Sequence, residues 1–269
     1  LTDSLVHLSL VQDNRDGWHE IHPLLRRYFR DKLEASPRAE PAKRRYCIIM
    51  AKKSAEMPQD TTVEIVEEFT PFLPHLQASV KEYPQYIADE DLAWSYTGLA
   101  RYYQGQGLYA TAEPYYQACL TATRTHLGDN HPDVASSLNN LALLYYSQGR
   151  YTEAEPLYLE ALDLRKQLLG DNHPDVASSL NNLALLYYSQ GRYTEAEPLY
   201  LEALDLRKQL LGDNHPDVAS SLNNLALLYY SQGRYTEAEP LYLEALDLTK
   251  QLLGDNHPLV ALSLNNLAN

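Results

Sequence analysis

The chain has 269 residues, 45% of them hydrophobic and 22% charged, a composition typical of folded rather than disordered protein. Its net charge of −14 falls mostly between residues 89 and 256, which argues against a phosphate-backbone partner, so no nucleic acid is expected. No apolar run approaches the roughly 20 residues that span a bilayer and no signal-peptide pattern opens the chain, so no membrane association is expected. Cys47 and Cys119 are too few for a disulfide scaffold, which favours a reducing, cytoplasmic location.

The opening segment is predicted to form a β-hairpin followed by a helix. Residues 5–11 are apolar and suited to a strand, and residues 18–21 alternate as a short return strand after a turn-rich stretch. The helix is predicted over residues 24–33, where apolar side chains recur at four-residue spacing. This order of elements suggests that residues 1–36 are the end of a winged-helix-like domain.

The run LVHLSLVQDNRDGWHEIHPLLRRYFRDKL resembles the end of the winged-helix domain in STAND-type signalling NTPases of the NB-ARC class. In that class a Met-His-Asp motif precedes the helix, and its His contacts the phosphate of the bound nucleotide in the resting state. The resemblance implies that His22 is a nucleotide contact in a full-length protein, although Pro23 replaces the Asp of the motif. From the residues alone, His22 is a helix-entry residue. The chain begins without Met inside this apparent domain and ends within a helical pattern, so we expect a fragment of a larger protein.

Residues 37–88 are predicted to be a helical adaptor in which prolines separate short elements. Lysines and arginines cluster between residues 26 and 53, but apolar side chains interrupt them and acidic residues nearly balance them. This pattern favours a solvated helix face over a nucleic-acid site.

A unit of 42 residues then repeats almost without change. The copies cover residues 131–172, 173–214 and 215–256, with a partial copy at 257–269. The third copy differs from the first two only at Thr249, where they have Arg. A fixed period of this length is typical of a solenoid, in which each unit buries its apolar face against its neighbours. Counting back one period reveals a divergent unit at 89–130, so the array is predicted over 89–269.

Each unit is predicted to contain two helices. Pro132 fits the first helical position, where its missing N–H costs nothing, and Gly149 can end the helix in the left-handed conformation. The second helix is predicted to open with a capping box from Thr152 to Glu155 and to end before Gly170. The apolar stripe of the first helix comprises Val134, Leu138, Leu141 and Tyr145.

Small and aromatic residues within the unit match the tetratricopeptide (TPR) pattern. These residues are Ala142, Ala154, Ala161, Leu141, Tyr145 and Tyr158. The unit length and the run LNNLALLY…GRYTEAEPLY…AL resemble the kinesin light-chain subtype of TPR. The resemblance implies an all-α superhelical solenoid in which the first helices line the concave surface. It also implies binding of a protein or peptide in that concave groove.

The resemblance places an uncharged row of side chains along the groove, where the corresponding asparagines of kinesin light-chain TPRs contact cargo peptides. The positions are Asn139, Asn140, Leu143, Tyr146, Asn181, Asn182, Leu185, Tyr188, Asn223, Asn224, Leu227 and Tyr230, with Arg101 at one end. A ladder of amides can hold an extended peptide backbone, and an exposed apolar row points to a partner. The alternative is structural: the asparagines bond within the array, and Tyr146 packs on the neighbouring repeat.

No catalytic site, metal site or cofactor is predicted. Four His-Pro histidines, from His131 to His257, lie one repeat apart without a second ligand at metal spacing, which favours a helix-entry role. No GxxxxGK[ST] phosphate loop is present. We therefore predict a non-enzymatic sensor region of a STAND-type ATPase that binds a protein or peptide. The alternative is an assembly scaffold that forms homo-oligomers through exposed solenoid ends.

Overall fold

The computed structural model describes residues 11–13, 19–21, 23–255, 260 and 264. The chain opens with an antiparallel hairpin of β1 (Val11–Asp13) and β2 (His19–Ile21), with Gln12 opposite Glu20. A hairpin is present as predicted, but its described first strand shares only Val11 with the strand predicted over residues 5–11, and Gln12 and Asp13 lie in the stretch predicted to be the turn. Residues 5–10 lie outside the described residues.

Helices of different lengths connect the hairpin to the repeats. They are α1 (Pro23–Glu34), α2 (Ala39–Ala55), α3 (Val63–Phe69) and α4 (Leu73–Lys81). The buried side of α2, which includes Cys47, Met50 and Ser54, packs against α4 and the first helix of the array. The helical character predicted for residues 37–88 is confirmed, and the domain boundaries stay a prediction.

The repeats fold as consecutive helix pairs. The pairs are α5 (Leu92–Gly105) with α6 (Tyr109–Leu127), α7 (Pro132–Ser147) with α8 (Tyr151–Leu169), α9 (Pro174–Ser189) with α10 (Tyr193–Leu211), and α11 (Pro216–Ser231) with α12 (Tyr235–Leu253). Each pair packs against the next, and a continuous hydrophobic core runs from Cys47 in α2 to Leu248 in α12. The predicted solenoid of TPR-like helix pairs is therefore confirmed.

The first helices of the three near-identical repeats, α7, α9 and α11, each begin with a histidine cap. In α7, the backbone N–H of Asp133 donates to Nδ1 of His131 at 3.2 Å, and Pro132 occupies the first helical position as predicted. The same bond recurs at His173 and His215. The helix-entry role is thus confirmed for these three histidines. The predicted apolar stripe of α7 is fully buried.

The second helix begins differently from the prediction, and the expected capping box was wrong. Helix α8 starts at Tyr151 and places Thr152 in its first turn. The guanidinium of Arg150 holds the Glu153 carboxylate through two bonds of 2.7 Å, and no side chain caps the helix by a hydrogen bond. The helix starts two residues before Glu153, the first helical residue that the capping box implied, so Pro156 lies inside it.

Candidate binding surface

The predicted groove residues of α7, α9 and α11 are all incompletely buried. In α7, Leu138 and Leu141 are at most 4% exposed, whereas Asn139, Leu143 and Tyr146 are half-buried. The same division recurs in α9 and α11. We call this surface the first-helix face. It comprises Asn139, Asn140, Leu143 and Tyr146 with their equivalents 42 and 84 residues later.

Hydrogen bonds between neighbouring repeats join the asparagines of the first-helix face. Nδ2 of Asn182 donates to Oδ1 of Asn139 at 3.0 Å, and Nδ2 of Asn224 donates to Oδ1 of Asn181 at the same distance. The ladder therefore bonds within the array, as the structural alternative supposed. Each bond uses one side-chain N–H of the later asparagine and the side-chain oxygen of the earlier one. The amide N–H groups of Asn139 and Asn181 and the Oδ1 atoms of their partners remain for a ligand.

The tyrosines of this face also reach the next repeat. The hydroxyl of Tyr146 lies 2.9 Å from Oγ of Ser189, and that of Tyr188 lies 2.9 Å from Oγ of Ser231. The ring of Tyr146 packs against that of Tyr151, with 5.7 Å between centroids. Each hydroxyl pair contributes about 1 kcal/mol of stability and fixes the tilt of the ring. The rings and Leu143 stay partly exposed, so the face presents apolar groups beside its amides.

In the divergent first unit, the adaptor covers the first-helix face. Gly98 and Gly105 stand where the later repeats have Asn140 and Ser147. A Cβ on Gly98 would lie 2.1 Å from Oγ and 2.3 Å from the backbone oxygen of Ser54, and one on Gly105 would lie 2.3 Å from Cβ of Thr61. The glycines therefore permit close approach of the adaptor, and the uniform face starts only at α7.

Arg101 belongs to this covered end. Its guanidinium donates to the carbonyl of Met57 at 3.1 Å and lies over the Trp94 ring, with its central carbon 5.6 Å from the ring centroid. The structure therefore ties Arg101 to the adaptor, while the asparagine, leucine and tyrosine positions form one continuous row.

The arginine that precedes each second helix from α8 onward forms an ion pair with a glutamate of the preceding unit. Arg150 bonds Glu113 of the preceding unit at 2.7 Å, and its guanidinium lies 4.0 Å from the centroid of the Tyr145 ring. The same arrangement recurs around Arg192 and Arg234. The adjacent guanidinium lowers the pKa of the Glu153 carboxyl. Sequence reasoning missed this ladder, although the glutamate precedes the arginine by 37 residues in each case.

A buried arginine of the second helix also bonds the first helix of the following repeat. Arg207 is 9% exposed, and it donates to Oγ of Ser221 at 2.7 Å and to the carbonyl of Asp217 at 3.1 Å. Burial lowers the pKa of Arg207, because the charged guanidinium is disfavoured away from water. Thr249 occupies the same position in the last whole copy and donates instead to Ala245 in its own helix.

Some predicted features fall in parts of the chain that the structure does not describe. His22, which the resemblance to STAND NTPases made a nucleotide contact, lies outside the described residues, as does most of the partial copy at 257–269. Across residues 23–255, no group of three or more His, Cys, Asp or Glu side chains is arranged to hold a metal ion. Within the same range, no helix combines the length and apolar character needed to cross a membrane.

Comparison with known proteins agrees with this architecture. The family model for the tetratricopeptide repeat matches residues 91–167, 133–209, 175–249 and 217–269, which together span more than half of the chain. A search of curated protein sequences found no match.

Several solved structures share the fold. BtubC (BKLC) from P. vanneervenii is 23% identical with a TM-score of 0.59, over 82% of this chain and 94% of that chain. A putative kinesin light chain from Podosopora anserina with nearly identical TPR-like repeats is 21% identical with a TM-score of 0.58, over 81% and 99%. The apo form of RapI is 14% identical with a TM-score of 0.60, over 68% and 65%. At these identities the likeness shows the fold alone. The repeat match and the helix-pair solenoid together place this chain in the tetratricopeptide repeat family.

Proposed function

We propose that the array is a protein-interaction module that binds an extended peptide segment on the first-helix face. The observation that carries the proposal is the uniform, uncharged row of half-buried leucines and tyrosines, repeated in α7, α9 and α11. Apolar side chains aligned on a surface point to a partner. The amide groups left over in each asparagine pair supply donors and acceptors for the backbone of that partner.

The hydrogen bonds of the face support this role. Hydrogen bonds between repeats already fix Asn139 and Tyr146, so ordering these side chains costs little when a ligand binds. The bonds within the array are therefore compatible with binding and make the surface preorganised.

The test is selection of peptides from a random library on the full chain, followed by affinity measurement with two triple variants. The first variant alters the first-helix face by replacing three equivalent leucines with serine, Leu143→Ser, Leu185→Ser and Leu227→Ser. The matched control is Leu159, Leu201 and Leu243→Ser, which changes the same residue type on the second helices, where these leucines are 39–45% exposed. We expect the first variant to weaken binding by about tenfold or more, since each leucine loses part of its apolar contact with the ligand. Equal affinities for both variants would refute the proposal.

We further propose that this array is the sensor region of a STAND-type signalling ATPase. The hairpin β1–β2 followed directly by α1 supports this, because it is the element order expected at the end of a winged-helix domain. On α1, Tyr28 and Phe29 are more than half exposed, as expected for a helix whose packing partner lies in such a domain. In this division of labour the nucleotide site lies elsewhere. Calorimetry of this chain with ADP or ATP is expected to give no tight binding, and a clear isotherm would contradict it.

A further inference from the structure

The first-helix face repeats with a short, regular spacing. Neighbouring first helices are joined directly by the Asn139–Asn182 and Tyr146–Ser189 hydrogen bonds, so they are packed side by side. Helices in such contact lie about 8–10 Å apart. Because the three copies are identical at these positions, the same asparagine, leucine and tyrosine groups recur about every 8–10 Å along the array.

A ligand that makes the same contact with each repeat must have a matching period. A polyproline II helix has three residues per turn and a rise of 3.1 Å, so every third side chain returns to the same face after about 9.3 Å. In a β-strand, side chains on one face recur after about 6.7 Å, which falls out of step within one repeat. An α-helix can match the spacing with seven residues over about 10.5 Å, but its backbone groups are bonded internally and cannot use the amides.

The chemistry of the face selects between these conformations. A polyproline II backbone has no internal hydrogen bonds, and proline offers a carbonyl acceptor without an N–H donor. The asparagines at 139 and 181 keep amide N–H donors after pairing with the next repeat. Tyrosine rings and leucines between them supply the apolar, aromatic-lined surface on which pyrrolidine rings dock. The face carries no charge to attract an acidic or basic segment.

From this match we infer that the partner is a proline-rich segment in the polyproline II conformation, with one turn on each identical repeat. The inference rests on the proposed function and names the ligand class of the same surface. Three identical copies of the face correspond to about nine ligand residues at three residues per turn. The site ends at the divergent unit, where Gly98 and Arg101 contact the adaptor instead.

The test measures how affinity for acetylated, fluorescein-labelled oligoprolines of six, nine, twelve and fifteen residues depends on length, by fluorescence anisotropy with the full chain. We expect affinity to rise by about tenfold from six to nine residues, as a third repeat becomes engaged, and to change by less than about threefold beyond nine. A Gly-Ser nonapeptide and a helical heptad peptide of similar mass are the control ligands. Length dependence needs no variant, so it is independent of any effect on folding.

Variants then place the ligand. Leu185→Ser is expected to weaken binding of the nonaproline by about threefold or more, and Leu201→Ser to leave it within a factor of about two. Absence of saturable oligoproline binding, or equal affinity at all four lengths, would overturn the inference. If library-selected peptides still lose affinity in the first-helix variant while oligoprolines do not bind, only the polyproline assignment fails. If neither ligand responds to that variant, the proposed function fails as well.

Discussion

Substitution of Gly98 by Ala tests whether the adaptor packs on the first unit as closely as the structure indicates. Inside a helix, Ala is favoured over Gly by about 1 kcal/mol, so propensity alone predicts stabilisation. The added Cβ would instead lie 2.1 Å from Oγ, 2.3 Å from the backbone oxygen and 2.9 Å from the carbonyl carbon of Ser54. Two of these atoms belong to the backbone of α2, so a rotamer change cannot relieve the contact.

The magnitude follows from two costs that exceed the propensity gain. Overpacking a close contact costs about 1–3 kcal/mol. Separating α2 from α5 also weakens the 2.8 Å hydrogen bond from Oγ of Ser54 to the carbonyl of Trp94, a further loss of about 1 kcal/mol. The net expectation is destabilisation by about 1–3 kcal/mol.

Hydrogen exchange measured by mass spectrometry is the appropriate assay, because repeat proteins unfold in segments. Faster exchange is expected in α2 and α5, with α9 to α12 unchanged. Asn140→Ala is the matched control, since it occupies the equivalent position one repeat later and already carries a Cβ. If Gly98→Ala slows exchange, or leaves it unchanged in α2 and α5, the close packing of the adaptor is refuted.

Four further predictions concern the stability of the array. His173→Ala is expected to lower the free energy of unfolding by about 0.5–2 kcal/mol through loss of the helix cap, while His173→Asn retains it, as thermal melts would reveal. Arg207→Ala leaves a buried serine and a carbonyl without their hydrogen-bond donor, and we expect it to lower the free energy of unfolding in urea by about 1–3 kcal/mol. Lys208→Ala removes only an exposed ion pair and is expected to change that free energy by less than about 0.5 kcal/mol. The hydrogen bond with Arg150 lowers the pKa of Glu153 in the folded state. The bond therefore stabilises the fold at pH values above the unfolded carboxyl pKa of about 4.3, and this stabilisation is lost as pH falls through the folded-state pKa of Glu153. Burial raises the pKa of Tyr242 to about 12, so the free energy of unfolding is expected to fall as pH rises above about 10, where the tyrosine ionises in the unfolded chain. Thermal melts from pH 3 to 11 would detect both the loss of stability at low pH and the loss at high pH.

The architecture of the array was predictable because periodicity acts on many residues at once. A 42-residue period with apolar stripes indicates helix pairing and solenoid stacking, and no single residue decides this, because many positions carry the same pattern. The half-buried row of Leu143 and Tyr146 followed from the same spacing, since these positions lie outside the buried stripe. The sequence alone was therefore sufficient for the helix-pair solenoid and for the incomplete burial of these positions, and their role in binding stays a prediction.

Contacts between units were harder to predict, because they join residues about 40 positions apart through side-chain geometry. The capping box failed because the helix starts at Tyr151, which places Thr152 inside the first turn, and because Glu155 pairs with Arg192 of the following unit. The asparagine ladder left two alternatives open, since one amide can serve a neighbour and a ligand together. Gly98 and Gly105 carried a signal that was overlooked: glycines within a helical pattern indicate close approach of another backbone.

The central claim is that the first-helix face holds the ligand, and photo-crosslinking tests it most directly. A photoreactive benzoylphenylalanine replaces Leu185 in one sample and Leu201 in another, and each is irradiated with a library-selected peptide at the same saturation. The account predicts crosslinked peptide at position 185 and none above background at position 201. Crosslinking at position 201 with none at 185 would contradict it and move the ligand to the second helices.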